Sequence, residues 1–490
     1  MHIAPTKVAV ALVALLGSLA LVGLGRSGVN TLAESKALNR GQVLDAIKPA
    51  EAVLNQNPDN ADARFKLANL HYQAGHFETA QTLLNPLLEA KEPALEAVAL
   101  MAELQYLSGK YAESERTLQQ AMQRHPDDLT VQVVGRIKLG FVYYQTNQFK
   151  KALECVDFVK NLQARGGKIS YPGLEQMIAF GELLRSFGDQ PLYQIDWNGS
   201  NKDIVPFLLR DPLPVLPVEI NGKPIYVFID TGGAMFILDP EIASNLGIKS
   251  VATYTGTYAG GLTNETGFAR AESLKVGGIA LRNVPVMLLP TQKLTTELTG
   301  GQYTIGGIIG TNVLQQFLAT IDYPDGKLIL RPRTEVGRAA LDQELTGRAV
   351  IPIPFYLSQT HFMVATGSLN GQTDLMLNLD SGLATDNPGG PSFAAPIQTL
   401  EYLGIPVPDT SSGGSSGGAG VTSVGSFPLT SGGLGSLVRK DVSGSYGSMT
   451  PARYWEQGFI LDGIISHNFL RNYAWTIDFD TMQMFFAPPN

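Results

Sequence analysis

The 490-residue chain has a single cysteine, Cys155. It can form no internal disulfide and no thiolate metal cluster. Histidine is almost as scarce, with six residues scattered singly, so a zinc site is not expected. Cofactor signatures are missing too: the GGSSGG run near residue 415 lacks the Lys and the strand–helix context of a phosphate loop. No Gly-x-Ser-x-Gly in the strand–turn–helix setting of a nucleophile elbow, with a following acid and His, is apparent, so no serine-hydrolase arrangement competes. Charged residues are only 16% of the chain, and acids outnumber bases 44 to 36, a net charge of -8. The basic face that a nucleic-acid binder needs is absent. What the chain does have is 44% hydrophobic residues, enough for sizeable cores, and a length that suits two to four domains.

The N-terminus reads as an export segment. Lys7 precedes an uncharged run, VAVALVALLGSLALVGLG, from Val8 to Gly25. A basic start followed by an apolar run is the pattern of a signal peptide. The run is also long enough for a membrane anchor. Residues 1–30 are therefore expected to be one or the other, with the rest of the chain in a periplasmic or extracellular space. No Cys follows the run, which excludes a lipid-modified cysteine.

Residues 38–165 carry helical spacing, as in Leu67, Leu70 and Ala74, or Leu100, Leu104 and Leu107. They also repeat. LANLHYQAGHFETAQTLL, Leu67 to Leu84, aligns with MAELQYLSGKYAESERTL, Met101 to Leu118. Gly75 and Gly109 are 34 residues apart, as are Phe77 and Tyr111. A third copy, LGFVYYQTNQFKKAL, begins at Leu139 and places Asn147 at the glycine position. Pro58, Pro93 and Pro126 precede the helix pairs. This period, with Gly at the helix–helix turn and an aromatic two residues later, resembles the tetratricopeptide repeat (TPR) family. The resemblance implies a helical solenoid whose concave face binds a partner protein or peptide. The plainer alternative is a solenoid that only packs on its neighbouring domain. Residues 166–211 read as a linker with one more helix.

From residue 212 onward short apolar runs alternate with Gly, Asn and Thr, as in an all-β region. A second internal repeat lies here. VEINGKPIYVFIDTGGA, Val218 to Ala234, is echoed by GSLNGQTDLMLNLDSGLA, Gly367 to Ala384. Each copy has Asn-Gly at a hairpin turn, then an apolar strand, then Asp-Thr-Gly or Asp-Ser-Gly. Asp230 and Asp380 are 150 residues apart. Downstream, GGIIGTNVLQQFLATIDYPDGKLIL is echoed by DGIISHNFLRNYAWTIDFDTMQMFF, with Ile321-Asp322 recurring 156 residues later as Ile477-Asp478. Two Asp-(Thr/Ser)-Gly segments at matching places in two long β repeats resemble the aspartic proteases. The short lobes look most like tandem retropepsin-like domains in a pepsin-like, two-lobed arrangement.

That resemblance implies a multidomain α + all-β chain: a TPR solenoid followed by a bilobal β-barrel protease fold, with lobes at 212–345 and 346–490. It makes Asp230 and Asp380 the catalytic pair, with Thr231, Gly232, Ser381 and Gly382 shaping the supporting loops. No cofactor or metal is implied. Two carboxylates held together can activate a water and protonate a carbonyl oxygen, because like charges at close range share a proton (the aspartic-protease dyad is a standard example of this effect). Glycines at 232 and 382 permit close approach. A substrate-covering flap is expected at TYTGTYAGGL, Thr253 to Leu262, with Tyr258 as its candidate substrate-facing residue. DTSSGGSSGGAGVTS, Asp409 to Ser423, reads as a mobile loop or second flap. Asp322 and Asp478 read as structural, and His361 and His467 as packing residues. Two positions depart from the family pattern, Leu383 after Asp-Ser-Gly and Ser466 where a glycine is usual. Both bear on the geometry at Asp380. The function implied is an exported aspartic endopeptidase acting on peptide or protein substrates, with the TPR region recruiting them. The alternative is a weakly active or inactive protease-fold scaffold that binds peptides.

Overall fold

The structure is a computed structural model that describes residues 8–10, 39–165, 169, 173–291, 299–385, 390–417 and 420–489. Most of the predicted export segment, residues 11–25, lies outside the described residues, and Val8–Val10 form a three-residue strand. No described helix is long and apolar enough to cross a membrane.

Eight helices run first: α1 Arg40–Gln56, α2 Ala61–Gln73, α3 Phe77–Leu88, α4 Leu95–Leu107, α5 Tyr111–Arg124, α6 Leu129–Gln145, α7 Phe149–Ala164 and α8 Leu174–Ser186. Asn39 opens α1 with a capping box to Gln42, while Asn60 and Asp128 cap α2 and α6. These side chains satisfy backbone N–H groups that have no partner in the first turn. The turns between helix pairs sit at Gly75, Gly109 and Asn147, with φ of 80°, 73° and 58°. That left-handed geometry suits Gly and is tolerated by Asn, which explains the substitution in the third copy. The helix in the predicted linker, α8, stacks on α7 through Val156, which a Cβ at Gly181 would strike at 2.5 Å.

The β region holds two lobes with the same order of strand pairing. In lobe one the pairings run in a ring: Val215–Ile220, Lys223–Asp230, Ile305–Gly310, Phe236–Leu238, Ile279–Leu288, Thr263–Val276 and back to the first. In lobe two the ring is Phe362–Leu369, Gln372–Asp380, Gly463–Ser466, Phe393–Ala394, Leu437–Tyr446, Gly420–Leu434 and back. The strand ending in Asp230 runs parallel to Ile305–Gly310, which sets Gly310 beside Asp230. The strand ending in Asp380 runs parallel to Gly463–Ser466, which sets Ser466 beside Asp380. Apolar residues alternate along these strands, so Leu375, Leu377 and Leu379 enter the main core and Met376, Asn378 and Asp380 face the other way.

A six-stranded sheet joins the lobes. At its centre Leu318–Asp322 and Ala474–Asp478 pair antiparallel, with Thr320 opposite Thr476. Their hydroxyls meet at 2.6 Å. These two threonines are equivalent in the internal repeat, so the pseudo-twofold axis passes between them. Asp322 and Asp478 serve this sheet's turns: Asp322 accepts from Asp325 N and Asp478 from Asp480 N and Arg338. Both are structural, as the sequence suggested. Asp203–Pro206, inside the predicted linker, adds an edge strand here.

The solenoid is docked on both lobes. Tyr72, Tyr106 and Tyr144 occupy one position of the repeat, three residues before the turn. Tyr72 Oη donates to Gln457 O at 3.2 Å, Tyr106 Oη to Gln359 O, and Tyr144 Oη to Asn312 Oδ1 at 3.4 Å. Phe77 packs edge-on against Tyr356 and Phe459 of lobe two. At the turn edge, Gly75 and Gly109 lie so close to Met376 and Met482 that a Cβ would come within 2.3 and 2.7 Å of their side chains. The turn edge of the repeats is thus covered by the chain's own lobes.

Arg40, at the start of α1, is almost fully buried with Asp462 of lobe two, Nη1 to Oδ2 at 2.9 Å. The same carboxylate oxygen accepts from Met376 N at 2.8 Å, on the strand that leads to Asp380. Burial pushes the Asp462 carboxyl up to about 6, against the pull of Arg40. Removing one partner strands the other charge in the interior. Arg40→Met is expected to lower stability by about 3–5 kcal/mol, read from denaturant unfolding. The double variant Arg40→Met/Asp462→Asn should recover much of the loss.

Candidate active site

The two Asp-(Thr/Ser)-Gly loops meet on the pseudo-twofold axis. Each follows an apolar strand that carries its aspartate to the edge of a lobe core. Each loop also grips the other. Thr231 N donates to Ser381 Oγ and Ser381 N to Thr231 Oγ1, both at 3.0 Å. Thr231 Oγ1 donates to Leu379 O at 3.0 Å and Ser381 Oγ to Ile229 O at 3.2 Å. Both hydroxyls therefore act as donor and acceptor at once.

The glycines make the approach possible. A Cβ on Gly232 would lie 2.7 Å from Asp380 Cγ, and one on Gly382 would lie 2.3 Å from Asp230 Cγ. Neither glycine has a positive φ, so the need is for space across the axis. Within each loop the backbone holds its own carboxylate. Gly232 N donates to Asp230 Oδ1 at 2.8 Å. Gly382 N and Leu383 N donate to Asp380 Oδ1 at 3.0 and 2.9 Å. The other oxygen of each, Oδ2, makes no hydrogen bond to the protein.

Both carboxyls are fully buried. Burial, and next the charge of Asp380, hold the Asp230 carboxyl well above the ordinary carboxylate range. Burial likewise pushes Asp380 up to about 6, opposed by the neighbouring Asp230 carboxyl, by the Leu383 and Gly382 N–H groups and by the charge of Arg453. Two such groups titrate as one coupled pair. When the pair holds one proton, one member is a carboxylate that can act as a base and the other a carboxyl that can act as an acid.

The two departures from the family pattern are accommodated differently. Leu383 supplies its backbone N–H to Asp380, and its side chain joins an apolar cluster with Ala259 and Met449. Gly310 of lobe one has no room for a side chain: a Cβ would meet Met235 O at 2.3 Å. Lobe two leaves that room at Ser466, whose Oγ donates to Pro391 O at 2.7 Å and accepts from Asn468 N at 3.2 Å. Thr311, which the sequence reading passed over, braces the first loop by donating Oγ1 to Thr231 O at 2.8 Å. Its only sequence signal is its place after Ile308-Ile309-Gly310.

The predicted flap is present as a hairpin of Ser250–Thr257 and Thr263–Val276. Its tip reaches across to lobe two, where Gly260 N donates to Ser448 O at 2.9 Å. Tyr258 is buried, and its hydroxyl bonds Thr266 of the same hairpin. That side chain is turned onto its own hairpin. The run read as a mobile loop is instead an antiparallel hairpin, Gly413–Gly417 with Gly420–Leu434. Backbone pairing organises it despite its low strand propensity. The two tips touch, since a Cβ on Gly260 would come 2.4 Å from Thr422 Oγ1. The helical domain supports the first flap: Gln176 of α8 donates to Tyr254 Oη at 3.2 Å, and Phe180 packs edge-on against Phe268. His467 is buried with Nε2 3.4 Å from Asp211 and its ring against Tyr323, a packing role.

Fold and site together define a bilobal β structure of the aspartic-protease type behind helical repeats. Comparison with known proteins agrees. The aspartyl protease family model matches residues 216–313, and a tetratricopeptide repeat model matches residues 37–104. The chain carries an aspartyl protease domain and TPR repeats. The protease match contains Asp230 and Gly310 and ends before Asp380. Among solved structures, a retropepsin-like aspartic protease from Rickettsia conorii is 22% identical, over 28% of this chain and 92% of that one, with a TM-score of 0.20. MamA is 22% identical, over 31% of this chain and 82% of that one, with a TM-score of 0.26.

Two outcomes follow from this geometry. Gly382→Ala drives a methyl group into the Asp230 carboxyl and should cost about 1–3 kcal/mol by overpacking, measured by thermal unfolding. The raised carboxyls also bind protons in the folded state that the unfolded chain has released. Their contribution to stability is full below the ordinary value of about 3.9 and is lost as pH rises through about 6. The double variant Asp230→Asn/Asp380→Asn should therefore show a flatter fall in stability between these pH values than the wild type.

Proposed function

We propose that the chain is an aspartic endopeptidase, exported across a membrane, that hydrolyses peptide bonds with a water activated by Asp230 and Asp380. The observation that carries this reading is the pair of buried carboxyls, each with one oxygen held by its own loop and the other left without a protein partner. In the proposed reaction the ionised member takes a proton from water, which attacks the scissile carbonyl. The protonated member donates to the carbonyl oxygen. The tetrahedral species then breaks as the amine takes up a proton. Flap opening precedes substrate entry, because the Gly260–Ser448 bond spans the cleft. The repeat domain, with its turn edge committed to the lobes, acts in this reading as a wall that supports flap and cleft. Recruitment of a partner would fall to its outer helices α3, α5 and α7. The N-terminal run serves as signal peptide or anchor.

A second reading, a peptide-binding scaffold with little activity, draws on the full burial of the pair and the closed flap. One experiment separates them: a peptide-library cleavage assay from acid to neutral pH on wild type, Asp230→Asn and Asp380→Asn. The enzyme reading expects cleavage that is lost as pH falls below about 6, where both carboxyls become protonated, and that falls at least about a thousandfold in either variant. Cleavage that survives in both variants overturns the dyad. Absence of cleavage by the wild type at every pH favours the scaffold.

A further inference from the structure

Buried polar groups in folded proteins nearly always find partners, and those that do not mark strain or function. Two such groups lie beside Asp380. Asn378 shares a strand face with Asp380, two residues away, pointing away from the lobe core entered by Leu377 and Leu379. It is 1% exposed, and neither its Oδ1 nor its Nδ2 has a hydrogen-bond partner. Its neighbours across the strands are Val364 and Ile464. An amide among aliphatic side chains is a poor choice for packing alone.

Arg453 is the second. It is 7% exposed, and its Nε, Nη1 and Nη2 all lack a hydrogen bond. Its guanidinium lies over the Phe362 ring, 4.6 Å from the centroid. Phe362 shares an apolar cluster with Val364, which pairs with Asn378, and with Leu383, three residues past Asp380; the Arg453 charge acts on Asp380. Among the described residues the acid paired with Arg453 is Glu456, 3.2 Å from Nη1, while Nε and Nη2 have no hydrogen bond. The turn that carries Arg453 follows Ser448 and Met449, on which the flap tip closes. Ser448 Oγ is also buried without a partner. The unpartnered groups thus gather where the flap, lobe two and Asp380 converge.

A planar guanidinium stacked on a ring binds a carboxylate through two parallel N–H bonds. Resting on the endopeptidase reading above, we infer that Arg453 and Asn378 form a carboxylate-binding subsite on the Asp380 side of the cleft. Arg453 takes the carboxylate and Asn378 bonds the adjoining peptide group. The preferred substrates then carry a negative charge close to the scissile bond, from an Asp or Glu side chain or from a free C-terminus.

The test uses the full chain and matched peptides. One arm compares Glu with Gln at each position around the scissile bond in peptides with an amidated C-terminus. The other compares free with amidated C-termini in neutral peptides. The wild type should favour the carboxylate member of one arm at least about tenfold in kcat/KM, and the arm that responds identifies the source. Arg453→Met should bring that ratio close to one, and Arg453→Lys should restore part of it. A wild type indifferent in both arms, or a ratio that persists in Arg453→Met, overturns the subsite. Anisotropy with the same peptides, fluorescently labelled, on Asp230→Asn reads binding without cleavage. Carboxylate-dependent binding without cleavage by the wild type leaves the subsite and removes the endopeptidase. Cleavage without carboxylate preference does the reverse.

Discussion

Thr231 and Ser381 hold each other's loops, hydroxyl to backbone, in both directions across the pseudo-twofold axis. The rest of the centre depends on this exchange. It brings two carboxyls to a separation that only glycines at 232 and 382 permit. It links two lobes that otherwise meet through the shared sheet, where Thr320 bonds its repeat equivalent Thr476. One symmetric contact thus lies above the axis and another below it. Between them the relative position of the two lobes has little freedom, and the carboxyl pKa values are raised by burial, to which the charge of Asp380 adds at Asp230.

The symmetry is one of backbone more than of side chains. Both lobes pair their strands in the same order, and both set the end of a parallel strand beside an aspartate. The side chains around the two aspartates differ. Lobe one is tightly closed behind Asp230, where Gly310 has no space for a Cβ. Lobe two has Ser466 in the equivalent place, with its hydroxyl satisfied by Pro391 and the next helical turn. Beside Asp230, two residues back, stands Phe228; beside Asp380 stands Asn378. A pair of carboxyls in unlike surroundings is what assigns unlike proton affinities to two members of one dyad.

The repeats have a structural use that their family pattern does not advertise. Tyr72, Tyr106 and Tyr144 recur in phase with the turns, and each hydroxyl ends on a residue of the β region that lies between strands. The buried Arg40–Asp462 pair adds a contact that reaches the strand of Asp380 through Met376. On the other lobe, α8 supports the flap hairpin through Gln176 and Phe180. The solenoid is joined to both halves of the candidate site, so its stability and that of the cleft are not independent.

Much of this was legible in the sequence because it was written twice. The 34-residue helical period and the two Asp-(Thr/Ser)-Gly segments 150 residues apart each carry their own control, since chance does not repeat a pattern in register. Local rules sufficed for the helices, their turns at Gly75, Gly109 and Asn147, and the hairpins at Asn-Gly. The Tyr258–Thr266 contact had no sequence signal, because which way a hairpin tip turns its side chain depends on what lies beneath it. The Gly/Ser run near residue 415 became a hairpin, because pairing with a neighbouring strand supplied order that its composition does not. Arg453 and Asn378 had no signal at all: neither sits in a motif, and their interest comes from contacts they lack. The sequence by itself determined the repeats, the two lobes and the aspartates, since those depend on periodicity and on residues adjacent along the chain. Tertiary structure alone decided that the repeats lie on the lobes, that the flap is closed, and that an unpartnered amide and a guanidinium with only part of its fork engaged stand near Asp380. Each of those is a contact between distant segments, and one-dimensional order carries no record of such distances.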